Sequence, residues 1–421
     1  MSSMRIRVDK ILITVFLFVL VFFGEGLTLR SYSLYVICGV LILYNLIPIR
    51  GIHSKLIINT ELILLLAFLF YSGLSYFWAM DTSLVVYRLK IMTFLTVLVF
   101  VLISQMHRVG GYFDYINLYF YMGLLLSLTC LVYFRPSGLI NLIVAGDRLG
   151  EDNALFMGIN ANTIALDCAS AGIIALFFSL IKQKKIYLLA LIPIMLVVVA
   201  TGSRKGIFMI LIGIIMAIFF YQHYTRTNIY STLFKVLVAV VVIFVASILI
   251  LQLPGLEKIN EQYMGFINSL TGNTEHVDIS TLTRGRMITI GLQQFTRTPF
   301  FGIGLDNGKV INLKYNNFPA YLHNNYIEIL VNGGLFGLSL YYSVFVILLI
   351  KHIKRLNERN PFVYISLILL IIRLISDWGR VSYFDYMSIF LYSFWISIAN
   401  SYDLKFKNER LLLDGVKNDI K

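Results

Sequence analysis

The residues best suited to chemistry in this chain are basic side chains and one histidine, all in segments between apolar runs. They are Arg204, Lys205, Arg284, Arg286 and His323. An arginine guanidinium binds a diphosphate through paired hydrogen bonds and keeps its proton. A histidine near its ordinary pKa accepts a proton from an attacking hydroxyl or donates hydrogen bonds to a phosphate. These residue types therefore favour chemistry in which an anionic group departs.

Further polar residues stand beside these five or at the ends of neighbouring apolar runs. As ligands of a diphosphate or a sugar, the candidates besides Arg286 and Lys205 are Ser203, Arg148, Asn160, Asn162, Asn324, Arg88 and Asp167. Gly202 and Ser203 are small enough for the backbone to turn its N–H groups toward an anion. For Asp167, structural pairing with a neighbouring arginine is the more ordinary interpretation.

Each candidate cation also has an ordinary alternative role. Arg204 has the position of an interfacial anchor, whose side chain reaches toward lipid headgroups. Arg284 and Arg286 precede an apolar stripe, which predicts a helix on the membrane surface or on the bundle with ordinary solvated charges. That stripe consists of Ile288, Leu292 and Phe295. The sequence alone does not choose between the two arginines.

His323 stands where the chain re-enters an apolar run, with Asn324 and Asn325 next to it, and an interfacial histidine is the alternative. His276 lies between Glu275 and Asp278 and superficially resembles part of a metal site. No second cluster at ligand spacing accompanies it, so we expect a solvated loop there. The His276 cluster therefore predicts no metal site.

Composition identifies the kind of protein that positions these residues. Of 421 residues, 58% are hydrophobic and 14% are charged, with mean hydropathy +0.81. Soluble domains carry about 25% charged residues, so this is an integral membrane protein. The formal charge of +13 lies mostly in short loops between apolar runs. That distribution is typical of the positive-inside rule and not of nucleic-acid binding.

The apolar runs predict an all-α polytopic membrane protein with about twelve transmembrane helices and one large extracytoplasmic loop containing short helices. The predicted spans are Ile11–Gly24, Tyr32–Ile49, Ile57–Phe77, Leu84–Ser104, Ile116–Phe134, Asn162–Ile181, Ile186–Ala200, Gly206–Tyr221, Leu233–Leu253, Tyr326–Ile350, Phe362–Ile375 and Met387–Ile398. Residues 1–253 hold nine spans, 254–323 the loop, 324–400 three spans and 401–421 a cytoplasmic tail. All belong to one integrated membrane domain.

Orientation follows from the distribution of lysine and arginine. Basic clusters such as Lys182–Lys185 and Lys351–Arg359 mark cytoplasmic loops. Both termini are then cytoplasmic, and the candidate residues meet on the outer face. Cys38, Cys130 and Cys168 lie inside apolar runs and are interpreted as small core residues. No cleavable signal peptide is expected, because the first apolar run lacks a small-residue cleavage site.

Several short motifs occur in a familiar order. They are Ser75–Asp81, Arg148 with Asn160–Asn162, Thr201–Gly206, Arg284 with Pro299–Leu305, His323–Tyr326 and Gly333–Gly337. Together they resemble the superfamily of O-antigen ligases and polymerases, over roughly Ser75 to Gly337. By position, Arg204 and His323 match the arginine and histidine of that family. Arg284 matches its loop arginine better than Arg286 does, because it stands fifteen residues before Pro299.

The resemblance implies a membrane glycosyltransferase that needs neither a metal nor another cofactor and uses a saccharide on undecaprenyl diphosphate as donor. Its partners would be that donor, a saccharide acceptor, membrane lipid and other polysaccharide export and assembly proteins. We expect it in the bacterial cytoplasmic membrane. Polymerisation of O-antigen, capsule or exopolysaccharide repeats is the preferred reaction. The alternatives are ligation of polymer to lipid A core or to a protein, and transport or flipping of an anionic or lipid-linked solute.

Overall fold

The computed structural model describes residues 2–22, 28–46, 58–109, 112–145, 149, 161–225 and 279–401, with isolated positions between 230 and 268. Within these ranges the chain forms α-helices and two short 3-10 turns, and no strand. The helices are α1 Ser2–Phe22, α2 Thr28–Leu46, α3 Thr60–Leu74, α4 Thr82–Val109, α5 Tyr112–Ala145, α6 Ala161–Lys182, α7 Ile186–Ala200, α8 Arg204–Thr225, α9 Ile279–Arg297, α10 Gly308–Asn316, α11 Asn325–Lys354, α12 Pro361–Ser376 and α13 Tyr386–Asn400.

The apolar helices confirm a multi-pass membrane protein. Six segments are long and apolar enough to cross a membrane, and they fall on α3, α4, α5, α6, α8 and α11. Shorter apolar helices lie at Lys10–Phe22, Tyr32–Tyr44, Ile186–Ala200, Pro361–Ser376 and Ser388–Asn400. Each of these coincides with a predicted span. The ninth predicted span, Leu233–Leu253, lies largely outside the described residues, so the number twelve stays a prediction.

α5 is longer than predicted and is broken. The predicted span ends at Phe134, whereas the helix continues to Ala145 beyond a break at Arg135, where φ is +57°. Pro136 follows directly. Proline lacks the N–H that the preceding turn needs, and its ring disfavours helical backbone at the residue before it. The apolar run therefore supports one helix in two segments.

α9 buries a different face from the one that its sequence suggests. Met287, Ile290 and Gln294 are buried, whereas Leu292 of the predicted stripe is exposed. The cause is tertiary packing on α11. A Cβ at Gly291 would lie only 2.5 Å from a side-chain carbon of Ile327, so glycine allows the two helices to approach closely. The buried face is therefore displaced from the predicted stripe, of which Ile288 still packs against the buried cluster while Leu292 is exposed.

The segment Pro299–Gly304 fills a break in α11. At Gly334 the backbone leaves the helix with φ +61° and ψ −162°. Four backbone hydrogen bonds of 2.9–3.3 Å join the two segments: Ile303 to Val331, Gly304 to Asn332, Leu335 to Pro299 and Phe336 to Phe300. A Cβ at Gly334 would lie 2.2 Å from the carbonyl oxygen of Phe300. Glycine is required there by both sterics and φ.

The Ser75–Asp81 segment after α3 closes this junction from the other side. The Tyr71 hydroxyl donates to the carbonyl oxygen of Gly333 at 2.7 Å, and the Trp78 indole donates to that of Phe301 at 3.2 Å. The Ser75 hydroxyl accepts from the N–H of Leu305 at 3.0 Å. The aromatic and glycine-rich motifs thus form a hydrogen-bonded frame that fixes the segment after α9 to α3 and α11.

Candidate active site

A cavity of about 470 Å³ lies where several helix ends meet. Five basic side chains line it: Arg88, Lys90, Lys205, Arg284 and Arg380. His323, Asn162 and one carboxylate, Asp385, also reach it. Aromatic residues complete much of the wall, among them Tyr35, Tyr87, Tyr321 and Phe384. A water-accessible space with such an excess of cations is suited to an anionic guest.

The cavity residues come from one end of the bundle because of where their helices begin and end. Asn162 and Lys205 lie in the first turns of α6 and α8, and Arg88 lies in the second turn of α4. His323 stands two residues before the start of α11, and Arg380 follows α12. At the opposite end, Glu61 at the start of α3 pairs with Lys351 near the end of α11 at 2.8 Å. The membrane crossings therefore bring residues far apart in sequence to a common end.

His323 is one of the titratable groups on this wall. Its backbone has φ +55°, and its ring lies 4.6 Å from that of Tyr321, centroid to centroid. Burial lowers the pKa of His323 to about 4, with contributions from the positive charges of Arg284 and Lys205. The imidazole is therefore neutral at pH 7, with a nitrogen lone pair that can accept a proton.

A pH profile tests this electrostatic setting. Because the neutral imidazole is the candidate base, activity should persist above its pKa and fall as the pH drops through it. The acid limb of kcat/KM should therefore lie near 4 and not near the ordinary 6.5. Replacing Arg284 by Gln removes a positive charge that lowers this pKa, so the acid limb of kcat/KM should shift to higher pH. An acid limb near 6.5 in the wild-type protein would contradict the assignment.

The two loop arginines have different surroundings. Arg284 lines the cavity. Arg286, two residues further along α9, is exposed and donates to the carbonyl oxygen of Tyr315 at 3.2 Å. The structure thus brings Arg284 and not Arg286 to His323. The roles of both in substrate binding stay predictions.

At the start of α8, Lys205 and not Arg204 is on the cavity wall. Its ammonium group donates to the carbonyl oxygen of Gly379. Arg204, the first residue of α8, is half-buried and is not among the residues that line the described cavity. Ser203 is buried and donates to Asn162 at 2.9 Å. Ser203 thereby holds Asn162, which lines the cavity, while a catalytic role for Arg204 stays a prediction.

Arg88 is held by a buried acidic residue that the sequence did not indicate. Its Nη2 lies 3.2 and 3.0 Å from the two carboxylate oxygens of Asp306. Lys309 pairs with the same carboxylate at 2.9 Å. The guanidinium also stacks on Phe384, with its carbon 3.6 Å from the ring centroid. Arg88 therefore reaches the cavity from a fixed position.

Other predicted ligands lie elsewhere. Asn324 is fully buried, and its side chain caps α11 by accepting from the N–H of Ile327 at 3.1 Å. Asn324 therefore has a structural role, because a cap provides a hydrogen-bond acceptor for an N–H at the helix start. Asp167 lines a smaller neighbouring cavity of about 40 Å³, together with Arg373 and Arg380. Arg148 and Asn160 lie outside the described residues.

Sequence reasoning missed Arg380, Asp385 and Tyr321. Arg380 could have been identified as a candidate from the sequence, because it lies on the predicted outer side, where the positive-inside rule makes arginine uncommon. Nothing in the sequence marks Asp385 or Tyr321 as a candidate, since either residue is ordinary in a loop. Among the described residues, no group of three or more His, Cys, Asp or Glu side chains is placed to hold a metal ion.

A comparison with known protein families finds a match that includes residues of the cavity wall. The family model described as O-antigen ligase matches residues 186–342. This region runs from α7 into α11 and includes Lys205, Arg284 and His323. None of the curated proteins compared with the chain matches it. The part of the chain from α7 into α11 is thus similar to the O-antigen ligase family, which supports the resemblance to the O-antigen ligase and polymerase superfamily.

Proposed function

We propose that the protein is a glycosyltransferase that moves a saccharide from a polyprenyl diphosphate to an acceptor sugar at the outer face of the cytoplasmic membrane. The observation that carries this proposal is the cavity that Lys205, Arg284 and His323 share. Two of these residues are basic side chains suited to a diphosphate, and the third is a neutral imidazole. All three fall inside the region that matches the O-antigen ligase family.

In the proposed reaction, the acceptor hydroxyl oxygen forms a bond to the anomeric carbon of the donor saccharide. The bond from that carbon to the diphosphate oxygen breaks, and its electron pair leaves with the diphosphate. Attack from the face opposite the leaving group inverts the configuration. The hydroxyl proton goes to a nitrogen of His323, or His323 binds the diphosphate when deprotonation is late.

The cations act by stabilising the charge that develops on the leaving group. Arg284 and Lys205 approach His323 closely enough for their charges to lower its pKa. Preorganised cations in a partly buried site need no reorganisation as the diphosphate departs. Each well-placed donor is worth about 3–4 kcal/mol of transition-state stabilisation. The donor saccharide is already activated, so the proposal requires neither a nucleotide nor a metal.

The polyprenyl chain needs a route from this site into lipid, and α2 and α4 offer one. Leu34, Tyr35, Tyr87 and Ile91 of these helices line the same cavity. Tyr35 and Tyr87 remain 47% and 59% exposed. We propose that the lipid chain lies along this aromatic and aliphatic wall while the diphosphate stays at the basic end. Tyrosine suits such a boundary because its ring is apolar and its hydroxyl is polar.

The break in α11 bears on the rival transporter function. Transporters use broken helices to build a substrate site near mid-membrane. Here the main chain of Pro299–Gly304 occupies the break through four hydrogen bonds, and neither Gly333 nor Gly334 lines the basic cavity. The break therefore supports the frame of the site, which favours an enzyme over a transporter.

A deletion strain tests the proposal and separates its variants. Loss of a polymerase, the reaction we prefer, should leave single repeats on the lipid carrier or on core. Loss of a ligase should leave long polymer on the carrier, and loss of a transporter should leave intermediates on the cytoplasmic side. Complementation with wild-type protein should restore the glycan, and a chelator should leave the activity of purified protein unchanged. If deletion changes neither the glycans nor the carrier-linked intermediates, the proposal is refuted.

A further inference from the structure

Arg380 lies on the loop between α12 and α13, far in sequence from the other cations of the cavity. It lines the same wall as Lys205, Arg284 and His323. The preceding residue, Gly379, accepts a hydrogen bond from Lys205 through its carbonyl oxygen. A Cβ at Gly379 would lie 2.7 Å from the Cε of Lys205. The loop thus approaches the start of α8 so closely that the Lys205 and Arg380 charges enter the cavity side by side.

The orientation of Arg380 is fixed by Asp385. Its Nη2 donates to a carboxylate oxygen of Asp385. The same oxygen accepts from the Ser388 hydroxyl at 2.5 Å and lies 3.9 Å from the Arg373 guanidinium. Asp385 is therefore already shared among several donors. The described contacts of Arg380 use Nη2, and a guanidinium has further N–H groups in the same plane for a second anion.

The loop itself is fixed to the residues that follow His323. The Asn325 side-chain oxygen accepts from the N–H groups of Ser382 and Tyr383 at 2.9 and 3.2 Å. Its amide nitrogen donates to Asp377 at 3.2 Å, and its backbone N–H donates to the Asp377 carbonyl oxygen at 2.8 Å. Asn325 thus ties the loop on both sides of Arg380 to the start of α11. The segments that carry Arg380 and His323 are therefore joined by hydrogen bonds of one residue, Asn325.

We propose that Arg380 is a further diphosphate-binding residue, which contacts the leaving group together with Lys205 and Arg284. This inference rests on the proposed function, because it assumes a polyprenyl diphosphate as the guest. Three cations then reach the cavity from three separate elements: the start of α8, the helix α9 and the α12–α13 loop. A diphosphate offers oxygen atoms on two phosphorus centres, so cations from different directions can bind it together. A monophosphate offers fewer oxygen atoms and should depend less on Arg380.

The test uses the full-length protein in lipid nanodiscs, with farnesyl diphosphate and farnesyl monophosphate as probes in equilibrium binding. We expect Arg380→Gln to raise the Kd for farnesyl diphosphate by about 10- to 100-fold, as removal of a charged hydrogen-bond donor does. The Kd for the monophosphate should change several-fold less. Arg380→Lys keeps the charge but lacks the paired, coplanar N–H donors of a guanidinium. Its Kd should therefore fall between those of wild type and Arg380→Gln.

The controls separate failure of the inference from failure of the proposed function. Arg297→Gln removes an exposed arginine of α9 that donates to the Tyr315 hydroxyl at 3.5 Å, and it should bind both probes as wild type does. Wild-type Kd values in Arg380→Gln and Arg380→Lys, with weakened binding in Arg284→Gln, would overturn the inference alone. A wild-type protein that binds neither probe would overturn the proposed function as well. If Arg380→Gln does not fold, Arg380→Lys decides: an unchanged Kd overturns the inference.

Discussion

Replacing His323 by alanine should lower the rate of glycosyl transfer by about 10²- to 10⁴-fold, the range typical of a lost general base. The imidazole is the neutral group of the cavity that can take the acceptor proton, because burial and two cations lower its pKa to about 4. Without it, the hydroxyl must lose its proton to water. The protein should still accumulate in the membrane, because the described contact of this side chain is the ring packing on Tyr321.

Polymer formation by the purified variant, normalised to the amount of folded protein, measures this effect. The matched control is His223→Gln. His223 lies near the end of α8 and bonds the Tyr364 hydroxyl at 2.9 Å. It is about 27 Å along the helix from Lys205, given a rise of about 1.5 Å per residue. The control should keep nearly wild-type activity, and wild-type activity in His323→Ala would refute the role of the imidazole.

Replacing Asp306 by asparagine should lower the free energy of unfolding by about 3–5 kcal/mol, the usual cost of removing one partner from a buried ion pair. Asp306 is fully buried, and its carboxylate faces both Arg88 and Lys309 at about 3 Å. Asparagine keeps the shape and tolerates the left-handed backbone at this position, where φ is +61°. The loss therefore reports the missing charge and not a strained backbone.

Reversible unfolding in mixed micelles measures this change. The matched control is Glu358→Gln, which breaks a pair with Arg355 that is 2.7 Å long and exposed. That variant should lose no more than about 1 kcal/mol. The double variant Arg88→Met with Asp306→Asn should regain part of the stability, since the Arg88 charge is then no longer buried without its partner. Equal losses in Asp306→Asn and Glu358→Gln would contradict the buried pair.

The membrane class and most helix positions could be predicted from the sequence because hydropathy is a local property. Ile186–Ala200 was predicted at the bounds that the structure shows, and the start of α11 lies one residue from the predicted Tyr326. The motifs also contain all three residues that share the cavity wall most directly, Lys205, Arg284 and His323. An arginine or histidine in a polar gap between apolar runs is recognisable without any coordinates.

The break in α5 and the buried face of α9 show where local patterns fail. Pro136 was visible in the sequence, but hydropathy does not tell whether a helix ends or resumes after a proline. On α9, the stripe from Ile288 suggested one face, while close approach at Gly291 selected another. Packing against a specific neighbour outweighs the intrinsic periodicity of a short helix.

By itself, the sequence determined that the chain crosses a membrane many times as helices, and that its polar chemistry lies in the gaps between them. Tertiary structure alone decided which cations share the space beside His323. Lys205 meets Gly379 across 174 positions of sequence, and Arg88 meets Asp306 across 218. Such contacts depend on how helices pack and where a loop binds to a broken helix. Neither can be predicted from local composition, so the position of Arg380 in the cavity is visible only in the tertiary structure.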